Sequence, residues 1–221
     1  PYTFGASGNG ISADYLRPEN YQRNMGRTYS DIIDIQTRKT LDKETYDYLI
    51  KNDPNHPVMF YNATEEDMEN AISHPSTIIG SDAFGFSDSK TGKMADDWHT
   101  PWETVNTHPR TAGCHGKVLR MVREKNLMPL MLAISKMSYQ YAEFLEDNGV
   151  AQMANKGRIK PGADADITIF DPDAVQDNSS LEEGKNALPT TGIPYVIVNG
   201  TIVVNDSEVL EGVYPGEAIR N

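Results

Sequence analysis

The sequence predicts an α/β fold over residues 1–155 followed by a β region over residues 156–221. Three observations carry this reading. Short apolar runs alternate with stretches of helical spacing in the first part, the period drops to two from Lys156 onward, and Asn199–Gly200 stands between the runs YVIV and TIVV. Strands alternating with helices predict parallel pairing, with the helices packed outside the sheet.

Residues 4–38 are rich in Gly, Ser, Asn and Tyr, show little periodicity, and read mostly as loop. TLDKETYDYLIKND reads as a helix with Thr40 or Asp42 as its cap and Pro54 beyond its end. VMFY (58–61) is a short apolar strand. NATEEDMENAISHP follows as a helix capped by Thr64, with Asp67 three residues on as in a capping box, Pro75 as the stop, and Met68, Ala71 and Ile72 on one face. STIIGSD then reads as a buried strand that runs into a loop at Asp82.

Residues 83–112 form a long irregular stretch with both tryptophans and two of the five histidines. Loops of this length inside compact domains usually serve function, so an active-site lid that includes Trp98 and His99 is the expectation. Helices are predicted over 114–125 and 129–147, with Pro129 suiting a first turn and Gly149 an end. In the last third GRI, ADADITIFDP, YVIVNGTIVVND and EVLEGVYPG read as short strands, with Asn199–Gly200 as a hairpin turn.

A net charge of −12 and a pI near 4.8 disfavour nucleic acid and anionic membrane surfaces as partners. The longest apolar runs fall far short of the roughly 20 residues a membrane helix needs. Cys114 is the one cysteine, which excludes an internal disulfide framework and suits a reducing cytoplasm. No basic-then-apolar leader opens the chain, which begins PYTFGASGNG without methionine, like the cut edge of something longer. Asp164 and Asp166 lie two apart in a strand and so project to one face, roughly 7 Å from each other. No histidine lies within forty residues of them, and the pair reads as scaffold beside the Pro161–Gly162 turn, with Ala165, Ile167 and Ile169 as the buried face.

That scaffold carries a resemblance. KGRIKPGADADITIFDPD and the Val-Asn-Gly hairpin after it resemble the strands that close many members of the amidohydrolase superfamily. PYTFGAS, TIIGSDAFG, HPRTAGCHGKVLRMVRE and GVYPGEAIR, in that order, narrow the resemblance to the D-aminoacylases, the N-acyl-D-amino-acid deacylases. It runs over nearly the whole chain. The resemblance implies a (β/α)₈ TIM-type barrel with a metal centre at the C-terminal ends of its strands, and a small β-sandwich built from both chain ends. Residues 1–155 would be the C-terminal part of the barrel with its long active-site loop, and 156–221 would be sandwich strands.

By the same resemblance, Asp82 matches the aspartate that ends the last barrel strand, touches the metal and serves as general base. A carboxylate at the C-terminal end of a parallel strand stands where barrel enzymes do chemistry. Arg110, in HPR, would pair with the substrate carboxylate, since a guanidinium is its natural bidentate partner. His108, Tyr2 and Ser7 would line the substrate site. Cys114, His115, His56 and His74 read as structural. The implied cofactor is zinc, but the family's His-X-His, its bridging Cys or Glu, and the histidines of its fifth and sixth strands have no counterpart here. The expectation is therefore the C-terminal portion of a deacylase of N-acyl-D-amino acids, inactive alone, that docks on a missing N-terminal portion or self-associates. A hydantoinase-like cyclic amidase, or a non-catalytic β-rich binding module, are the alternatives.

Overall fold

The computed structural model describes residues 2–220. Its first unit is a three-stranded sheet of order β1-β3-β2, with β1 at Ala6–Gly10, β2 at Ile32–Asp34 and β3 at Pro57–Tyr61. Every pair in it is antiparallel: Ala6 opposes Tyr61 and Ile32 opposes Phe60. The parallel pairing expected from strand–helix–strand order is therefore overturned. The predicted strand at STIIGSD is not one either: its residues form no ladder, although Ile79 is fully buried and donates its N–H to the carbonyl of Lys136 at 3.1 Å.

The first 38 residues are more ordered than their composition suggests, because they hold β1, β2 and the helix α1 (Pro18–Met25). Pro18 fixes the first turn, Gly26 closes the helix at φ 65°, and Tyr21 is its one buried residue. One inward side chain leaves no apolar stripe to read. Val58 and Phe60 join Ile11, Leu16, Tyr21, Ile32, Leu41, Tyr46 and Leu49 in a core beneath α1 and α2 (Lys43–Asn52). Asp42 caps α2 by accepting the N–H of Thr45 at 2.8 Å.

A second core lies between helices α3 (Glu65–Ser73), α4 (Arg110–Lys125) and α5 (Leu130–Met137), around Met68, Ile72, Ile79, Val118, Met121 and Met128. The capping box forms: Thr64 Oγ1 accepts the N–H of Asp67 at 3.1 Å, and Asp67 Oδ2 accepts that of Thr64 at 3.0 Å. At the other end of α3 the buried Lys136 donates to the carbonyl of His74 at 2.5 Å, a cation where the helix dipole favours one. The single helix expected over 129–147 is two, α5 and α6 (Tyr139–Asp147). Ser138 breaks it at φ −141°, ψ −70°, bonding back to the Ile134 carbonyl, and Gly157 at φ 65° packs on the break where any Cβ would meet Ser138 and Tyr139 at 3.0 Å.

Beyond α4 the segment 171–192 lies along that helix. Arg120 pairs with the buried Asp177 at 2.5 Å and Arg123 donates to the Val175 carbonyl at 2.6 Å. The last sheet runs β6-β7-β8-β9, all antiparallel, from β6 at Ile167–Ile169, β7 at Tyr195–Val198, β8 at Thr201–Asn205 and β9 at Glu208–Val209. Asn199 and Gly200 both take positive φ in the β7–β8 turn, as the primed turns of hairpins require. GRI is not a strand, and Ile169 is 46% exposed where a buried face was expected, because no second layer of described residues covers it. Asp164 and Asp166 both salt-bridge Lys156, at 3.0 and 2.5 Å, and Asp166 accepts the N–H of Asn199. They hold the hairpin to the chain before it. No helix among the described residues is long and apolar enough to cross a membrane.

His56 ties the end of β2 to the end of α2. Its Nε2 meets Asp34 Oδ1 and its Nδ1 meets Asp53 Oδ2, both at 3.1 Å, and its side chain is 7% exposed. Burial opposes the charge on His56, but the carboxylates of Asp34 and Asp53 outweigh it and raise the pKa. A group whose pKa is raised by folding contributes fully below its unfolded pKa, about 6.5, and loses that contribution as pH climbs through the folded value. His56→Gln should therefore cost about 3 kcal/mol at pH 5.5, the scale for removing one partner of a buried pair, and less at pH 9. Urea unfolding of both proteins at the two pH values measures this; a gap that does not shrink with rising pH removes the charged pair from the account.

Candidate functional site

The site forms where β1, the segment after Ile79 and the start of α4 meet. Asp82 takes the left-handed conformation, φ 48°, which strains a residue that carries a Cβ. Arg110 holds it there. Its Nε donates to the Asp82 carbonyl at 2.8 Å and its Nη2 to the Asp82 carboxylate at 2.6 Å. Nη1 points to the Ala6 carbonyl at 3.5 Å, so one guanidinium ties β1 to the Asp82 turn.

Arg110 is 1% exposed while the Asp82 side chain is 69% exposed. The pair thus presents a carboxylate to solvent from a buried cationic base. The ring of Tyr2 covers the guanidinium with 4.1 Å from its centroid to the Arg110 carbon, and Phe84 lies at 5.0 Å. The Tyr2 hydroxyl accepts from Asn62 at 3.2 Å. A guanidinium needs such company because an unpaired buried charge is costly, and aromatic faces and carbonyls supply it.

His108 lies under the same turn. Its Nδ1 accepts the N–H of Arg110 at 3.2 Å and its Nε2 faces the Ala6 carbonyl at 3.0 Å, which fixes the proton on Nε2. Burial first, then the charge of Arg110, push its pKa down to about 3. A neutral ring with both nitrogens engaged is a brace for the loop. It takes up no second proton near neutral pH.

The structure thus brings Tyr2, Asp82, His108 and Arg110 together around the Ala6 carbonyl. Ser7 stands next to Ala6 on β1, opposite Phe60, and so projects from the face of that residue. The sequence reading missed Phe84 and Thr111. Phe84 stacks on His108 with centroids 6.3 Å apart, and Thr111 accepts the Phe84 N–H at 3.0 Å. An aromatic two residues after a strand-end aspartate was the available signal. The stretch 83–112 is tethered in part, with β4 (Ser87–Asp88) pairing β5 (Val105–Asn106), and α4 begins four residues before the expected 114. Trp98 lies against Tyr214, centroids 6.0 Å apart, and His99 follows it. Cys114 is buried on α4, and that burial raises its thiol pKa, while His115 beside it is exposed.

Among the described residues no group of three or more His, Cys, Asp or Glu side chains is placed to hold a metal ion. The donor set at the candidate site is one carboxylate, already paired with Arg110. These residues do not by themselves fit a zinc site, for which three or four N, S or O ligands are usual.

A profile of the amidohydrolase family matches residues 79–204. An N-acyl-D-glutamate deacylase of Alcaligenes xylosoxydans xylosoxydans is 30% identical over 146 residues, 66% of this chain and 25% of that protein. An N-acyl-D-aspartate deacylase of the same organism is 29% identical over 166 residues, 73% of this chain and 27% of that one. The chain thus spans about a quarter of the length of these curated relatives. Among solved structures, an N-acyl-D-glutamate deacylase from Bordetella bronchiseptica complexed with zinc and a phosphonate inhibitor superposes with a TM-score of 0.71 at 23% identity, covering 100% of this chain and 42% of that one. A D-aminoacylase structure gives 0.69 at 24% identity, covering 100% and 42%. At that identity the likeness shows the fold: these residues adopt the C-terminal part of an amidohydrolase (β/α)₈ TIM-type barrel with the strands that follow it.

His108 gives a direct test of the site's electrostatics. A histidine held neutral by folding loses stability for the native state as pH falls below the unfolded value of about 6.5, and the loss levels off only near its folded pKa of about 3. Its ring resonances should show no titration between pH 5 and 8. A His108 midpoint near 6.5 would mean that the ring is not buried beneath Arg110.

Proposed function

This chain belongs to the amidohydrolase family, and from that premise we propose that it is the C-terminal part of a metal-dependent N-acyl-D-amino-acid deacylase. The observation that carries this reading is the Asp82–Arg110 pair, an exposed carboxylate held on a buried guanidinium at the end of an apolar segment. The relatives named for D-glutamate and D-aspartate support acidic N-acyl-D-amino acids as the substrate class.

In this reading Asp82 is both metal ligand and general base. It takes a proton from the attacking water as that water's oxygen adds to the acyl carbon. It then gives the proton to the amide nitrogen, the C–N bond breaks, and a carboxylate and a free D-amino acid leave. Its left-handed backbone and the Arg110 bonds fix the carboxylate without fully neutralising it, since one oxygen stays clear of the guanidinium. Arg110 receives the substrate α-carboxylate once the Tyr2 or Phe84 ring that covers its 1% exposed guanidinium moves aside, with His108 as the neutral support below. Zinc is the implied cofactor, with its other ligands from outside these 221 residues. The division near Lys156, barrel before it and sandwich strands after it, belongs to the same proposal. So do a cytoplasmic setting and docking on the remaining portion of the enzyme.

In the full-length polypeptide, Asp82→Asn should lower kcat on N-acetyl-D-glutamate by about 10²- to 10⁴-fold with inhibitor binding intact, the range for removal of a general base. Arg110→Lys should chiefly raise KM, because an ammonium cannot make the forked contact. Unchanged turnover in Asp82→Asn sinks the assignment. The 221-residue chain alone should bind no zinc tightly and hydrolyse no N-acetyl-D-amino acid; elemental analysis and a turnover assay decide this, and one bound zinc with turnover would show that its own residues suffice.

A further inference from the structure

The first sheet has one face in the main core, and its other face, although Met59 there is 2% exposed, borders a cavity. Val58 and Phe60 point into the core, while Met59 and Gly8, which pair across β1 and β3, share the opposite face. On that side lies a cavity of about 450 Å³ between the sheet and the loop that follows Asp82. Its walls include Gly8, Ile35, Met59, Phe84, Asn106 and His108.

Resting on the deacylase reading above, we propose that this cavity receives the acyl chain of the substrate, and that the preferred chain is aliphatic and of medium length, about six to eight carbons, instead of acetyl. Position carries the first part. Phe84 is a wall of the cavity and also packs on the Arg110 guanidinium, and His108 is a wall while bonding the Arg110 N–H. A substrate whose carboxylate meets Arg110 and whose carbonyl meets Asp82 therefore has a substituent beside Phe84. Chemistry selects which one. None of the cavity's walls carries a formal charge, so the carboxylate of an acidic side chain would be stranded there. An alkyl chain suits Met59, Ile35 and the Phe84 ring, and its burial gives back roughly 0.8 kcal/mol per methylene, about a fourfold change each. Gly8 keeps the floor open: a side chain there would reach Phe84, whose ring tip lies 3.2 Å from where a Cβ would stand.

The test is a chain-length series on the zinc-loaded full-length polypeptide, from N-acetyl- through N-butyryl-, N-hexanoyl- and N-octanoyl-D-glutamate. From acetyl to hexanoyl, four added methylenes, kcat/KM should rise by up to about 250-fold. Met59→Trp, which fills the cavity, should lower the hexanoyl-to-acetyl ratio by at least about tenfold. A flat series, or a slope that survives Met59→Trp, overturns the assignment while the deacylase reading stands. If no member is turned over, the deacylase reading fails by itself, and calorimetric titration with N-octanoyl-D-glutamate still decides the cavity. Binding lost in Met59→Trp keeps it as an acyl site, and absent or unaltered binding removes it.

Discussion

A guanidinium buried at the first turn of a helix is the constraint on which the candidate site rests. The N-terminus of α4 carries partial positive charge, so Arg110 stands where the dipole opposes it. Stability there requires anionic and aromatic company. The Asp82 carboxylate and carbonyl, the Ala6 carbonyl and the rings of Tyr2 and Phe84 provide it. The partners come from two stretches of chain, residues 2–6 and 82–84, both distant in sequence from α4. Satisfying one side chain therefore gathers β1, the Asp82 turn and α4 at one point, and the exposed carboxylate follows from it.

The rest of α4 extends that arrangement. Gly113 and Gly116 let Ser179 and Thr190 approach the helix closely, where a Cβ on Gly116 would meet Thr190 Oγ1 at 2.5 Å. Arg120 and Arg123 then fasten the segment around Val175–Asp177. On its other side α4 packs its apolar residues against α3 and α5, and Lys125 reaches Glu65 and Glu69 at 2.7 and 2.5 Å. Those last pairs are solvent-exposed and contribute little each; the packing beneath them sets the helix position. His108 shows the same dependence on place. An imidazole with an ordinary pKa near 6.5 becomes a fixed neutral brace because burial and the charge of Arg110 act on it together.

Much of this molecule was legible in its sequence where the determining contacts are local. The Thr64–Asp67 box, the Asp42 cap and the Asn199–Gly200 turn each depend on groups within three residues, so residue type and spacing suffice. Motif order also sufficed for the family and the barrel fold, and it singled out Asp82 and Arg110 separately. It did not reveal that the two bond each other. Helix α1 escaped because one buried tyrosine makes no stripe, and the break at Ser138 escaped because the flanking apolar residues continue in helical period.

What the sequence determined by itself is therefore the set of caps, turns and apolar faces, together with family membership through ordered motifs. What only the tertiary structure decided is partnership: antiparallel pairing in the first sheet, the Asp82–Arg110 bonds across 28 positions, the neutrality of His108, and the cavity behind Phe84. The reason is physical. A hydrogen bond to a neighbour in sequence is encoded by two nearby side chains, whereas burial, strand direction and charge pairing depend on which distant surfaces exclude water together.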